Sequence, residues 1–254
     1  MNYRIKSPET EMKAVVQLPS SKSICNRALI LNALSYSPYP IQNLSDCDDT
    51  AVLVKALNSN DRDFDIQAAG TAMRFLTAFL AKVVGEWTIT GTERMKNRPI
   101  KILVDALNAV GARIEYMEKE GFPPLRIWGS ALQGGEISLS GGVSSQYISA
   151  LLMVAPLMEK GLVLHLEGNI ISKPYIQLTL QLMKQFGVQS EWKGSTIRVA
   201  PQEYQPIPFT VESDWSAASY WYEMMALSRQ AEIQLKGLFK QSLQGDAAGA
   251  KLFA

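Results

Sequence analysis

Three stretches of the chain repeat one hydrophobic pattern. Val52 to Asn58 reads VLVKALN and Ile102 to Asn108 reads ILVDALN, strings in which apolar residues recur at helical spacing. A looser copy, LTLQLMK, runs from Leu178 to Lys184. Pro99 and Pro174 open the second and third copies, and Gly111 and Gly187 close them. Proline fits a first helical turn and glycine the position just past the last. A strand-like run follows each glycine, ARIEYM and VQSEW. Trp87 to Thr90, Leu162 to Leu166 and Ile233 to Leu235 read as further strands. The most apolar stretch, Ile148 to Met158, is broken by Pro156. At about half the length of a membrane span, it predicts a buried helix.

A second set of helix starts precedes these. Small polar residues open it at Ser21, Gly70, Ser144 and Ser213, with successive offsets of 49, 74 and 69 residues. The first set opens near Asp48, Arg98, Lys173 and Ser242, with offsets of 50, 75 and 69. Two series in step mean that one supersecondary unit recurs. The unit reads as strand, helix, strand, helix and then further strands, an α/β arrangement with helices on one side of a sheet. Gly91 precedes Leu107 by 16 residues, and the same step from Gly237 reaches residue 253. Three complete units and a broken fourth are therefore expected, as in a piece cut from a longer chain. A broken unit exposes apolar surface, so it is expected to associate with another chain or to be the less stable part.

Composition narrows the partners. The chain has 254 residues, 25 Lys and Arg against 24 Asp and Glu, one His and two Cys. That length accommodates one large domain or two modest ones. Being 47% hydrophobic and 19% charged, the sequence has globular rather than disordered composition. A formal charge of +1 argues against binding nucleic acid by bulk electrostatics, so any anion must be gripped by a local cluster. The opening MNYRIKSPETEMK lacks the apolar core of a secretory signal, and no membrane partner is expected. Cys25 and Cys47 have neither zinc-site spacing nor the density of a disulfide scaffold, which points to a reducing cytoplasmic setting.

Candidate chemistry gathers at the helix starts. In SSKSICNRALILNALS, Ser20, Ser21 and Ser23 stand beside the free amides of a helix N-terminus, with Lys22 adding a positive charge. Ser23 and Arg27, four apart, share a face. In QAAGTAMRFLTAFLA, Gly70 permits close approach to the backbone, Thr71 can cap, and Arg74 lies one turn in. Ser144, Ser145 and Gln146 cluster donors in GGVSSQYISALLM, and Asp214 reads as an N-cap or an acceptor for a sugar-like hydroxyl. Between helices, Arg94, Lys96 and Arg98 concentrate cations, and Ser172, Lys173 and Tyr175 repeat the theme. Each start alone is explained by ordinary capping or surface charge. Their recurrence at equivalent positions instead points to a small, multiply anionic ligand.

Other chemistries fit poorly. No GxxxxGK[ST] loop and no strand-linked GxGxxG is present. His165 lies in an alternating LVLHLEG run and reads as a strand residue, and Cys25 as a small packing residue. One His and two distant Cys offer no soft-metal set, and no metal or cofactor is expected.

The strings SKSICNRA, AAGTAMRFL, RMKNRPIKILVDAL, SSQYISALLM and ISKPYIQLTL resemble the 3-phosphoshikimate 1-carboxyvinyltransferase (EPSP synthase) family, in order from about residue 13 onward and including ESDWSAASY and QSLQGD. The resemblance implies transfer of the enolpyruvyl group of phosphoenolpyruvate to the 5-hydroxyl of shikimate 3-phosphate, without a metal. It implies two domains of three βαβαββ units each, with helix N-termini facing the cleft between them. Residues 21–211 would form the complete domain, with 1–20 and 212–254 belonging to its partner. By motif, Lys22, Ser23, Arg27, Ser144, Ser145, Gln146, Ser172 and Tyr175 would contact shikimate 3-phosphate. Lys22, Gly70 and Arg98 would face phosphoenolpyruvate, Lys22 acting electrostatically or as a proton donor.

Departures from the family pattern are Ala68 for Asn, Gln177 for Asp and Cys25 for Ser. The family's proton-handling Asp and Glu lie further along than residue 254, so this chain is expected to bind without turning over. Two rival readings are a non-catalytic anion-binding half-protein and the sibling enzyme acting on UDP-N-acetylglucosamine, which normally lacks the SKSxxNRA and SSQ strings.

Overall fold

The computed structural model describes residues 11–253. Its first half runs β1 (Met12–Gln17), α1 (Lys22–Leu34), α2 (Asp48–Leu57), β2 (Asp63–Asp65), α3 (Gly70–Lys82), β3 (Gly85–Thr90), α4 (Glu93–Lys96), α5 (Lys101–Ala109), β4 (Arg113–Tyr116) and β5 (Leu125–Gly129). The second half runs β6 (Gly135–Ser140), α6 (Ser145–Val154), β7 (Leu162–Glu167), α7 (Lys173–Gln185), β8 (Glu191–Lys193), β9 (Thr196–Val199), α8 (Trp215–Leu227) and β10 (Ala231–Lys236).

The repeat predicted from helix spacing is present strand for strand in two units. One sheet has the order β2-β3-β5-β4 and the other β6-β7-β9-β8. In each, the first two strands are parallel across a helix, and a hairpin returns antiparallel against the second. Gly111 and Gly187 end α5 and α7 with φ of 100° and 89°, left-handed backbone where a side chain would be strained. The apolar Ile148–Met158 stretch forms α6, and Pro156 lies in a short 3-10 turn at its end.

The two remaining units differ from the expectation. The first consists of α1 and α2, and among the described residues it contributes only an isolated bridge between Gln42 and Thr210. Pro38 and Pro40, in the connection between these helices, have no amide hydrogen for a sheet ladder. The fourth unit takes its first strand from the far end of the chain: β1 pairs in parallel with β10, Met12 opposite Ala231 and Gln17 opposite Lys236. Where Ser242 was expected to open a second helix, a 3-10 segment follows at Gly245–Lys251.

Helices form the interior. α1, α3 and α6 contact one another as an inner triangle. Around it α2 touches α1 and α3, α5 touches α3 and α6, and α7 touches α6 and α1. Every residue of α3 except Phe79 and Lys82 is buried, the all-round burial expected of a helix enclosed by other elements. Leu31, Phe75, Leu76 and Leu151 are among the residues packed there, each such side chain contributing about 1.5–3 kcal/mol through removal from water. The triangle sets the geometry of the site, because α1, α3 and α6 also carry the polar helix starts.

A smaller cluster of Leu18, Trp215 and Ala218 lies under α8. On the same layer Val15, Tyr220 and Leu227 are exposed, at 64%, 67% and 89%.

Candidate anion-binding site

The N-termini of the three inner helices open on one cavity of about 210 Å³. Lys22, Ser23, Asn26 and Arg27 of α1, Thr71 of α3, Ser144, Ser145 and Gln146 at the start of α6, and Tyr175 of α7 line it. A helix N-terminus carries roughly half a positive charge on unpaired amides. Three of them pointed at one volume create an anion site even before a side-chain charge is added.

Local sequence leaves those amides unoccupied by the usual caps. Ser21 is the N-cap of α1, yet its side chain makes no capping bond. Ala69, the N-cap of α3, has no side-chain acceptor to offer. Instead Asp49, near the start of α2, reaches across: its Oδ1 accepts from the Thr71 amide at 3.1 Å and its Oδ2 lies 3.3 Å from Lys22 Nζ. Only α6 is capped conventionally, Ser144 Oγ accepting from the Gln146 amide at 3.3 Å. Gln146 Nε2 then donates to Thr71 Oγ1 at 3.2 Å, tying two helix starts together. The Lys22 side chain is 47% exposed. Such an ion pair is worth about 0–1 kcal/mol, so Lys22 can exchange Asp49 for an incoming anion at little cost.

Arg27 sits beneath the cavity at 3% exposure. Its Nε donates to Thr179 Oγ1 at 2.7 Å, Nη1 to the Ser23 carbonyl at 2.8 Å and Nη2 to Ser149 Oγ at 3.1 Å, linking α1 to α6 and α7. The guanidinium also faces the rings of Phe75 and Tyr175, at 5.4 and 6.0 Å. No carboxylate pairs with it among the described residues. Desolvation accordingly pushes its pKa down to about 10, with Tyr175 acting in the opposite direction.

Asn26 is fully buried and was not singled out from the sequence. Its Oδ1 accepts from Thr50 Oγ1 at 2.8 Å, while its Nδ2 has no hydrogen-bond partner among the described residues. Asp49 was also missed, because an acidic pair opening a helix reads as an ordinary response to the helix dipole.

A second cationic feature adjoins the cavity at α3. The Arg98 guanidinium lies across Gly70 so closely that a Cβ there would come within 2.3 Å of Nη1. The buried Arg74 donates to the Gly70 carbonyl at 2.9 Å and to the Pro99 carbonyl at 3.2 Å, which fixes the segment bearing Arg98. Burial pushes the Arg74 pKa down, opposed by Tyr147.

The other sequence candidates divide. Lys22, Ser23, Arg27, Ser144, Ser145, Gln146 and Tyr175 come together at the cavity, and Gly70 and Arg98 stand beside it. Ser172 is the N-cap of α7 and is not among the lining residues. Lys96 turns away to pair with Glu118 at 2.9 Å. Asp214 caps α8, its Oδ1 accepting from the Ser216 amide at 2.9 Å. His165 is a strand residue bonded to Thr196 and Glu136, and Cys25 is packed in the core.

Fold and site together define a repeated-βαβαββ protein whose central helices aim their N-termini at one cavity. Comparison with known proteins makes that class specific. The family described as EPSP synthase (3-phosphoshikimate 1-carboxyvinyltransferase) matches residues 6–63 and 54–253, and the chain belongs to it. The 3-phosphoshikimate 1-carboxyvinyltransferase of Bacteroides fragilis (strain YCH46) is 60% identical over 255 residues, covering 100% of this chain and 62% of that protein. Its counterpart in Vibrio atlanticus (strain LGP32) is 40% identical over 268 residues, covering 94% and 63%. An EPSP synthase structure from Acinetobacter baumannii superposes with a TM-score of 0.79 at 19% identity, over 91% of this chain and 56% of that one. The chain thus spans less than two thirds of the length of these relatives. No helix among the described residues is long and apolar enough to cross a membrane.

Proposed function

We propose that this chain supplies the shikimate 3-phosphate-binding part of an enzyme that transfers the enolpyruvyl group of phosphoenolpyruvate to the 5-hydroxyl of shikimate 3-phosphate and releases phosphate. The observation that carries the proposal is the meeting of three helix N-termini with Lys22, Arg27, Ser144, Ser145, Gln146 and Tyr175 around one cavity. In this reading the hydroxyls and amides at the starts of α1 and α6 hold the phosphate and ring hydroxyls of shikimate 3-phosphate. Arg27 supplies a fixed, poorly solvated positive charge, whose attraction for an anion is strongest where water is excluded.

Phosphoenolpyruvate is assigned to the side of the cavity where Lys22, the Gly70 backbone and Arg98 converge. Lys22 there releases Asp49, offsets the charge of the phosphate and donates a proton as the tetrahedral intermediate forms. Ser172, at the head of α7 beside Tyr175, is assigned to the shikimate side once the cleft closes around its ligand. The domain division proposed is 21–211 for this binding body, with 1–20 and 212–254 belonging to its partner. The setting proposed is the reducing cytoplasm, in keeping with free Cys25 and Cys47.

Over a third of the Bacteroides relative lies outside the matched length. The 254-residue polypeptide by itself is therefore assigned binding without turnover. Titration calorimetry with shikimate 3-phosphate, paired with an assay for phosphate release, tests both halves. Binding with no release is the expected result. Robust turnover by this polypeptide would refute the second half, and no binding at millimolar ligand would refute the first.

A further inference from the structure

We propose that Asn26 is a ligand-binding residue, donating its side-chain amide to an anionic oxygen of whatever occupies the cavity. The inference rests on the reading of that cavity as the shikimate 3-phosphate site. Three observations carry it.

The first is an unmet donor. Asn26 is 0% exposed, lines the cavity and has no partner for Nδ2 among the described residues. A buried polar group left unpaired costs about 1–3 kcal/mol, a cost that proteins usually avoid. A buried donor left unmet beneath the cavity is accounted for if an acceptor arrives with the ligand.

The second is that the amide is held from behind. Thr50 Oγ1 has one proton and gives it to Asn26 Oδ1 at 2.8 Å. Cys47 Sγ, 3.3 Å from the same hydroxyl, must then be the donor to Thr50. Thiol, hydroxyl and carbonyl thus form one chain behind the amide, with Nδ2 at its unpaired end. An acceptor facing the same volume would repel the anion that Lys22 and the helix termini attract.

The third is placement. Asn26 lies one turn along α1 from Lys22, next to Arg27. An oxygen reaching Nδ2 is therefore within the field of both cations. Its bond would be charge-assisted, and such bonds are roughly twice as strong as neutral ones. Thr50 and Cys47 touch no ligand and act as positioning residues.

Two variants and two probes test the assignment. Asn26→Ala removes the donor. Thr50→Val keeps shape but frees the amide to rotate. Each is titrated with shikimate 3-phosphate and with inorganic phosphate, after thermal melts show that it is folded. Asn26→Ala is expected to weaken binding by about 10- to 100-fold, and Thr50→Val by a smaller factor in the same direction. In the wild-type protein labelled with 15N-asparagine, the Asn26 side-chain amide signal should move on adding ligand. A purely structural asparagine would leave that signal in place.

Wild-type binding that Asn26→Ala leaves unchanged, or an unmoved Asn26 amide at saturation, would overturn the inference while leaving the substrate reading intact. Binding of phosphate that depends on Asn26, without preference for shikimate 3-phosphate, would overturn the substrate reading and uphold Asn26. Failure of the folded wild-type protein to bind either probe would overturn both.

Discussion

Arg27→Met separates the two uses of the buried guanidinium. Holding this charge in the core is costly in the ligand-free protein. Burial pushes its pKa down from the ordinary arginine range to about 10, a shift that corresponds to about 3 kcal/mol at about 1.4 kcal/mol per pH unit. This penalty is present at every pH below about 10 and is relieved only as pH rises from there toward the ordinary arginine range of the unfolded chain. Against it stand the bonds to Thr179, Ser149 and the Ser23 carbonyl, each worth about 1.5 kcal/mol, the low end for a bond to a charged group, because Ser149 and Thr179 also bond each other.

Methionine fills much of the same volume without the charge. Ser149 and Thr179 would still bond each other, at 2.8 Å, and Thr179 would still donate to the Tyr175 carbonyl at 2.9 Å. Loss of the bonds and relief of the penalty largely offset, so Arg27→Met is expected to lower stability by only about 1–2 kcal/mol. Affinity for shikimate 3-phosphate, in contrast, should fall at least about 100-fold, the cost of losing a desolvated charge contact of about 3 kcal/mol. Urea unfolding measures the first quantity and calorimetry the second. A variant destabilised by more than about 4 kcal/mol, or one that keeps wild-type affinity, refutes the view that the charge is kept for the ligand rather than the fold.

Three other outcomes follow from the geometry. Gly70 does not have the positive φ that excludes a side chain, so Gly70→Ala should preserve stability in urea unfolding or raise it, by up to about 1 kcal/mol of helix propensity. The added Cβ displaces Arg98, and affinity for phosphoenolpyruvate in the shikimate 3-phosphate complex should drop about 10-fold or more; unchanged affinity would remove Arg98 from the site. Burial raises the Cys25 pKa, so the fold favours the protonated thiol. Stability from this source is present below the unfolded thiol value of about 8.5 and is lost as pH rises through the folded value. An aromatic disulfide reagent at pH 8 should therefore modify only half-buried Cys47 rapidly, and two fast equivalents would contradict the burial argument. Finally, exposed Tyr220 and Leu227 should make the polypeptide self-associate with rising concentration in sedimentation experiments. Tyr220→Glu with Leu227→Lys should suppress that association, and a wild-type monomer throughout would count against it.

What the sequence conveyed was chiefly punctuation. Pro99 and Gly111, like Pro174 and Gly187, bracket helices whose ends involve backbone conformations specific to those residues, so α5 and α7 were legible in a single sequence. The same holds for the polar starts of α1, α3 and α6, because small residues at helix N-termini are locally required. Strands β2 and β8, three residues each and rich in charge, carry no such signal and are defined only by their neighbours.

In the site, charged residues and serines at helix starts stood out, whereas Asn26 and Asp49 did not. Asn26 lies inside the quoted SKSICNRA string, but its unpaired nitrogen exists only once Thr50 has claimed the carbonyl. Asp49 meets Lys22 across 27 residues and Thr71 across 22. Contacts at that distance depend on how α1, α2 and α3 pack, which no local pattern records. Arg27 was read correctly as facing the Ser23 side of α1, yet its partners Ser149 and Thr179 come from helices more than a hundred residues away.

The parallel pairing of β1 with β10 has a consequence for how the molecule is made. Met12 and Ala231 are 219 residues apart in the chain and neighbours in the sheet. β1 leaves the ribosome long before β10, the strand it must pair with. Closing so long a loop costs entropy that only a previously compacted intervening chain can reduce. The helical triangle must then assemble early, bringing Leu18 and Ser213 within reach of each other, where Ser213 Oγ donates to the Leu18 carbonyl at 3.2 Å. Until that happens β1 is an unpaired strand edge, alternately apolar, on a nascent chain. A circular permutant that joins β1 directly ahead of α8 would convert the longest-range strand pairing among the described residues into a local one.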